Sequence, residues 1–268
     1  MWKTKLALGT SEQFKISVEE QIKLFCKTGF EGFFTDMQCR SNIADYRKLA
    51  DELGMIYQSI HAPFGKAADF WAEGDAAEAA VAELTECVRC CAEFGVPIMV
   101  AHVFIGFDKH EPNDIGVKNY ERVVKEAEKY GVKIAFENTE GEEYLAAVMK
   151  GLSHYKNVGF CWDTGHEMCY NHSRDMMALY GDRIIATHIN DNLGIKDFNG
   201  KITWTDDLHL LPFDGIADWD YNISRMKKSK RQEILNFELN IVSKPNRYEN
   251  DVYGKMTYEE YFAECYKR

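Results

Sequence analysis

Short apolar runs alternate along this chain with longer stretches of helical periodicity, and six of the runs end on a histidine or an acid. Residues 56–60 run into His61, 98–101 into His102, 134–136 into Glu137, 158–162 into Asp163, 184–187 into His188 and 234–237 into Glu238. Runs this short and this apolar, separated by helical patterns, read as parallel strands buried on both faces. Two more precede them: residues 5–8 end at Gly9, and 32–35 end at Asp36. Between these two, Ser17-Val18-Glu19-Glu20 has the form of a capping box and opens a helix carrying Ile22, Leu24 and Phe25. Further helices are predicted over 43–53, 75–94, 114–130, 142–150, 167–180, 218–227 and 258–266, with Gly54, Gly95 and Gly131 as stop signals.

Eight strands alternating with eight helices predict an α/β fold of one domain over residues 1–268, a (β/α)8 TIM barrel. A length of 268 residues suits that architecture. The competing doubly wound sheet lacks its glycine-rich GxGxxG turn after a strand. The longest irregular stretch, 190–215, follows the seventh strand and is expected to lie over the barrel's C-terminal rim.

Composition narrows the setting. Apolar residues make up 46% and charged residues 28%, as in an ordinary globular chain, and a net charge of −11 disfavours a broad nucleic-acid surface. No secretory core and no membrane-spanning run is evident, and eight cysteines without an export signal point to reduced thiols in the cytoplasm. Cys87, Cys90 and Cys91 fall inside a helical pattern and are expected to pack on its buried face.

If all strands run one way, His61, His102, Glu137, Asp163, His188 and Glu238 emerge on one rim, where barrels of this kind place their active sites. His166 follows Asp163 by three residues, and Asp207-Leu208-His209 sits in the long rim loop. That puts five of the eight histidines at one place. A lone strand-end acid is often a helix cap, and Asp36 is left with that reading. The convergent set is different, because so many N and O groups gathered without a cation would be costly to bury. Trp71 and Trp204 fall in rim loops and are expected to wall a pocket, whereas Trp162 lies within a strand and belongs to the core. Lys66, Lys109 and Lys196 are the rim-loop cations, and the basic run 225–231 reads as a solvated helix end on the opposite face.

The segments His61-Ala62-Pro63-Phe64, Phe136-Glu137-Asn138-Thr139, Trp162-Asp163-Thr164-Gly165-His166, His188-Ile189-Asn190-Asp191-Asn192, Asp207-Leu208-His209-Leu210-Leu211-Pro212 and Phe237-Glu238 together resemble the xylose-isomerase-like TIM-barrel superfamily. By that resemblance Glu137, Asp163, His188 and Glu238 match a quartet binding one divalent metal, with Mn²⁺ favoured and Co²⁺, Mg²⁺ or Zn²⁺ compatible. The resemblance implies a sugar, sugar-phosphate or keto-acid isomerase or epimerase. It would work by proton transfer through a metal-stabilised enediolate, with Glu137 and Glu238 flanking the substrate and His166 holding a substrate oxygen. His61, His102, His166, Asp207 and His209 are then second-metal or substrate-binding residues. The endonuclease-IV-like branch of the superfamily uses nine ligands for three zinc ions, and all nine have counterparts here. A multinuclear zinc phosphodiesterase is therefore the alternative, with a dehydratase on the same scaffold behind it. Residues 34–40 faintly resemble a DNA-contacting loop of that branch. Acidic rim loops and the position of the basic run favour a small carbohydrate as partner over nucleic acid or membrane. Pairing of copies into a homo-oligomer is left open.

Overall fold

The computed structural model describes residues 4–108, 110–195 and 201–268, with side chains for all of these but 38–40. Eight parallel strands form one sheet: β1 (Lys5–Gly9), β2 (Gly32–Asp36), β3 (Ile56–His61), β4 (Ile98–Ala101), β5 (Lys133–Glu137), β6 (Val158–Asp163), β7 (Ile184–His188) and β8 (Ile234–Phe237). Each pairs with the next as far as β7, and β1 also pairs with β8. The remaining seam closes by an isolated bridge between Ile189 and Phe237. There the Thr187 hydroxyl stands in for the ladder, accepting the Asn236 N–H at 2.9 Å. The expected TIM barrel is thus the observed one.

Around it run α1 (Val18–Thr28), α2 (Ile43–Leu53), α3 (Asp75–Glu93), α4 (Asp114–Tyr130), α5 (Glu142–Gly151), α6 (Thr164–Cys169), α7 (Met176–Tyr180), α8 (Trp219–Lys228) and α9 (Tyr258–Lys267). The Ser17 capping box forms, and Gly54 and Gly131 end their helices in the left-handed region as the sequence predicts. One expectation fails. The single helix over 167–180 is two, because His172 and Ser173 take positive φ values of 52° and 55° and turn the chain out of the helix. Asn171 then ties that turn to the rim by donating to the Thr139 carbonyl at 2.9 Å.

Side chains alternate across each strand, so one set faces the helices and the other the barrel interior. The outward set, including Phe33, Ile60, Met99, Phe136 and Trp162, joins the helices in the main core. Cys87, Cys90 and Cys91 are buried there on α3 as expected. The inward set forms a smaller cluster of Ile98, Val100, Ala135, Cys161 and Ala186. One step further along the strands, the same inward face carries the six rim residues. Phe34 fills the floor beneath them, its ring stacked on His188 at 4.7 Å. Gly9 makes room for it: a Cβ there would lie 2.4 Å from the Phe34 ring.

Candidate metal centre

The rim brings the nine singled-out groups together. Four ligand atoms of Glu137, Asp163, His188 and Glu238 lie within 4.8 Å of one another, as do those of His61, His102 and Glu137, and those of His166, Asp207 and His209. Glu137 belongs to two of these sets. Its Oε1 is 3.0 Å from His188 Nδ1 and 3.4 Å from His166 Nδ1. Its Oε2 is 3.3 Å from His61 Nε2 and 3.4 Å from His102 Nε2.

Local hydrogen bonds aim these groups. The far nitrogens of His61 and His209 rest on backbone carbonyls: His61 Nδ1 is 2.8 Å from the Ala62 oxygen and His209 Nδ1 is 3.0 Å from the Glu238 oxygen. This leaves Nε2 of each pointing into the cluster, the arrangement by which proteins orient ligating imidazoles. His209 holds that pose at a φ of 49°, a left-handed conformation uncommon for histidine and enriched at functional sites. Asp163 caps α6 by accepting the His166 N–H at its Oδ1 (2.6 Å), so the capping reading of a strand-end acid is true of it as well. Asn190 Nδ2 reaches both of its oxygens, at 3.0 and 3.2 Å, and Asn138 brackets its backbone with two bonds of 2.8 Å. Gly165 permits this, since a Cβ there would sit 1.9 Å from Asn190 Oδ1.

The electrostatics are those of a crowded buried cluster. Burial resists charge on His188, but Glu137 and Glu238 outweigh it and raise the imidazole well above its ordinary value. His209 is pushed up to about 9, with burial opposing and Asp207 and Glu238 prevailing. Burial raises Asp163 to about 6 against the pull of His166 and His209. Glu238 goes the other way, to about 2, because His188 and His209 overcome the burial. In His102 burial wins and the value falls.

A divalent ion fits these residues. Among the described residues, His102 Nδ1, His188 Nε2 and Asp207 Oδ1 are buried without a hydrogen-bond partner, and the clustered carboxylates are balanced chiefly by protons on the imidazoles. Three carboxylates and one imidazole in the quartet suit Mn²⁺, Co²⁺, Mg²⁺ or Zn²⁺. The histidine-rich sets on either side lean toward Zn²⁺.

The ligand sets open into a cleft of about 590 Å³ lined by His61, His102, His166, Asp207, His209 and Glu238. Glu238 reaches it with a side chain 30% exposed. Glu137 does not: its side chain is fully buried beneath the imidazoles, so the expected pair of carboxylates on opposite sides of a substrate is not what this geometry presents. Trp71 also departs from expectation. It is core, donating from Nε1 to the Val103 carbonyl at 2.8 Å and packed on Tyr144 and α4. Trp204 is 53% exposed and stands beside the cleft rather than lining it.

Among the expected rim cations, Lys66 is paired with Glu83 at 2.7 Å, while Lys109 and Lys196 lie outside the described residues. The same holds for the side chains of residues 38–40 in the segment compared with a DNA-contacting loop. The basic run is not uniformly solvated, because Arg225 is buried against Glu167 and Trp162. Several cleft residues were given no role by the sequence reading, Asp36 and Lys244 among them. Asp36 lines the cleft, its carboxyl raised chiefly by burial, and strand-end position was the signal for it. Lys244 carried no signal, since it sits in an ordinary loop after β8.

A (β/α)8 barrel whose strand ends converge on side chains able to hold a metal defines a class, and comparison with known proteins defines the family. Residues 23–253 match the profile of the xylose isomerase-like TIM barrel, and the chain belongs to that family. A 164-residue stretch is 32% identical to the uncharacterised protein y4fM of Sinorhizobium fredii, covering 56% of this chain and 50% of that protein. The match thus spans half the length of this relative. Among solved structures, the fold is similar to that of an IolI protein with a bound zinc atom (TM-score 0.75, 20% identity, covering 98% of this chain and 95% of that one). It is similar also to the 3-keto-D-glucoside 4-epimerase YcjR of E. coli (TM-score 0.72, 14% identity, covering 99% and 100%). No helix among the described residues is long and apolar enough to cross a membrane.

Proposed function

We propose that the chain is a divalent-metal-dependent isomerase or epimerase of a small hydroxy-carbonyl carbohydrate. The observation that carries this reading is the quartet of Glu137, Asp163, His188 and Glu238, converging at the floor of a cleft into which one of its carboxylates projects. Several solved barrels of similar fold are sugar epimerases, which supports the same reading. The quartet would hold the ion, which when bound supplies Lewis-acid polarisation of a carbonyl and so acidifies the adjacent C–H.

The chain's own groups do the rest. Glu238 is the carboxylate of the quartet that faces the cleft, which makes it the proton acceptor. Glu137, sealed below, fixes the imidazoles around it. Return of the proton then falls to an imidazole that reaches the cleft. His166 has the position for it, its Nε2 lying 3.5 Å from Asp207 Oδ2 at the cleft wall.

Incubation of the metal-loaded protein with ketoses and aldoses in D₂O tests this by NMR. Deuterium should appear at the carbon beside the carbonyl, and Glu238→Gln should abolish that exchange while ligand binding remains measurable. Near-normal exchange in Glu238→Gln would sink the assignment of Glu238.

A second reading has an observation of its own. Glu137 sits between two ligand sets and a third adjoins them, the layout of a multinuclear zinc site that activates water for phosphodiester hydrolysis. The net charge of −11 stands against a nucleic-acid substrate for it. Two or three zinc ions per chain, together with phosphodiesterase activity, would establish that reading in place of the first.

A further inference from the structure

We infer that Lys244 is the anchor for an anionic group on the substrate, so that the ligand of this cleft carries a carboxylate or phosphate as well as its hydroxyl and carbonyl oxygens. The inference rests on the reading of the cleft as the substrate site and adds the charge class of the ligand.

Among the described residues that line the cleft, Lys244 is the one lysine or arginine. Beside it the cleft holds the acids Glu12, Asp36, Asp207 and Glu238 and the imidazoles of the candidate ligand sets, which must shed their protons to bind a metal. Its side chain is 19% exposed, yet the ammonium makes no hydrogen bond among the described residues. It lies over the Trp204 ring, 5.4 Å from the centroid. A cation–π contact holds the head group in place without using its N–H donors, which leaves three to offer a ligand.

The bland account makes Lys244 a counter-ion for Asp207, and the geometry argues against it. The ammonium stands 3.7 Å from Asp207 Oδ2, an oxygen already engaged by His209 Nε2 at 2.7 Å. The oxygen that lacks a partner is Oδ1, and Lys244 does not reach for it. The contact is thus a loose electrostatic one at the edge of the cleft. Ser11, Gln13 and Asn240 line the same cleft with neutral donors and acceptors suited to hydroxyl groups. Gln13 donates to Asn240 at 2.6 Å and accepts the Val242 N–H at 3.1 Å, which fixes the loop that carries Lys244.

The test is calorimetric titration of the metal-loaded protein with three probes of one chain length: glycerol, glycerate and glycerol 3-phosphate. Wild type should bind one of the two anions at least about tenfold more tightly than glycerol. Lys244→Met should erase that preference and Lys244→Arg should restore most of it, and the anion preferred tells carboxylate from phosphate. Anion affinity unchanged in Lys244→Met would mean that the metal alone holds the anion, and would overturn the inference. No preference for either anion in wild type would overturn it too. Because binding is read rather than turnover, failure of the isomerase reading would show separately, in the deuterium exchange.

Discussion

Asn190 decides how Asp163 presents itself, since among the described residues it is the one side chain that binds both carboxylate oxygens. Outer partners of this kind typically contribute about 10–100-fold to metal affinity. Asn190→Ala should therefore weaken metal binding by about that factor in chelator competition, with little change in the far-ultraviolet circular dichroism. Unaltered affinity would show that Asn138 and the α6 cap alone orient Asp163. This level of detail was only half legible in the sequence. Strand-end position named the rim residues, because alternation forces every second side chain inward. It gave no hint of which carboxylate would be sealed, as Glu137 is, or which would reach the cleft, as Glu238 does. Those outcomes depend on how many imidazoles crowd each oxygen. Trp71 was misplaced for a similar reason: position in a loop does not reveal that Val103 offers its indole a buried acceptor.

At the scale of elements, α6, α7 and α8 are locked to the outer face of β6 by one buried network. Glu167 accepts from Trp162 Nε1 (3.0 Å), from the Met176 N–H (3.1 Å) and from Arg225 (2.7 Å), and Arg225 also pairs with Asp175 at 2.8 Å. Losing one partner of a buried ion pair strands the other, at a cost of about 3–5 kcal/mol. Arg225→Met should lower the unfolding free energy by that order in denaturant titration, and a loss below about 1 kcal/mol would mean that Glu167 finds water instead. Inside the barrel, Gly9→Ala should destabilise by about 1–3 kcal/mol by driving into the Phe34 ring, and should disturb His188 stacked above it. Strands and most helices were legible here because burial period and caps agree. The break between α6 and α7 had a signal that was passed over, the polar run 171–175 ending in Asp175, which caps α7, while the left-handed turn at His172 and Ser173 had none.

For the whole molecule, the cluster makes stability depend on pH in a way that metal should invert. Without metal, His209 titrates near 9 against an ordinary 6.5, so its stabilisation is complete below about 6.5 and is lost as pH rises toward 9. His61, His166 and His188 are shifted in the same direction, and only His102 opposes them. Metal-loaded protein should behave oppositely, because the ligands must shed protons to bind. Thermal melting across pH 6–9, with and without a chelator, should give a falling Tm for the stripped protein and a steady or rising Tm for the loaded one. Parallel trends would contradict a metal site built from these groups.

The most direct test of the account is the divalent metal content of the purified chain, alone and with single ligands removed. We expect one ion per chain, lost in Asp163→Ala and retained in His61→Ala and His209→Ala, as the quartet and its proton-transfer chemistry require. Protein with no affinity for divalent ions would contradict the metal centre outright. Two or three zinc ions that depend on His61, His102, His166, Asp207 and His209 would contradict the single-ion isomerase and put the multinuclear hydrolase in its place.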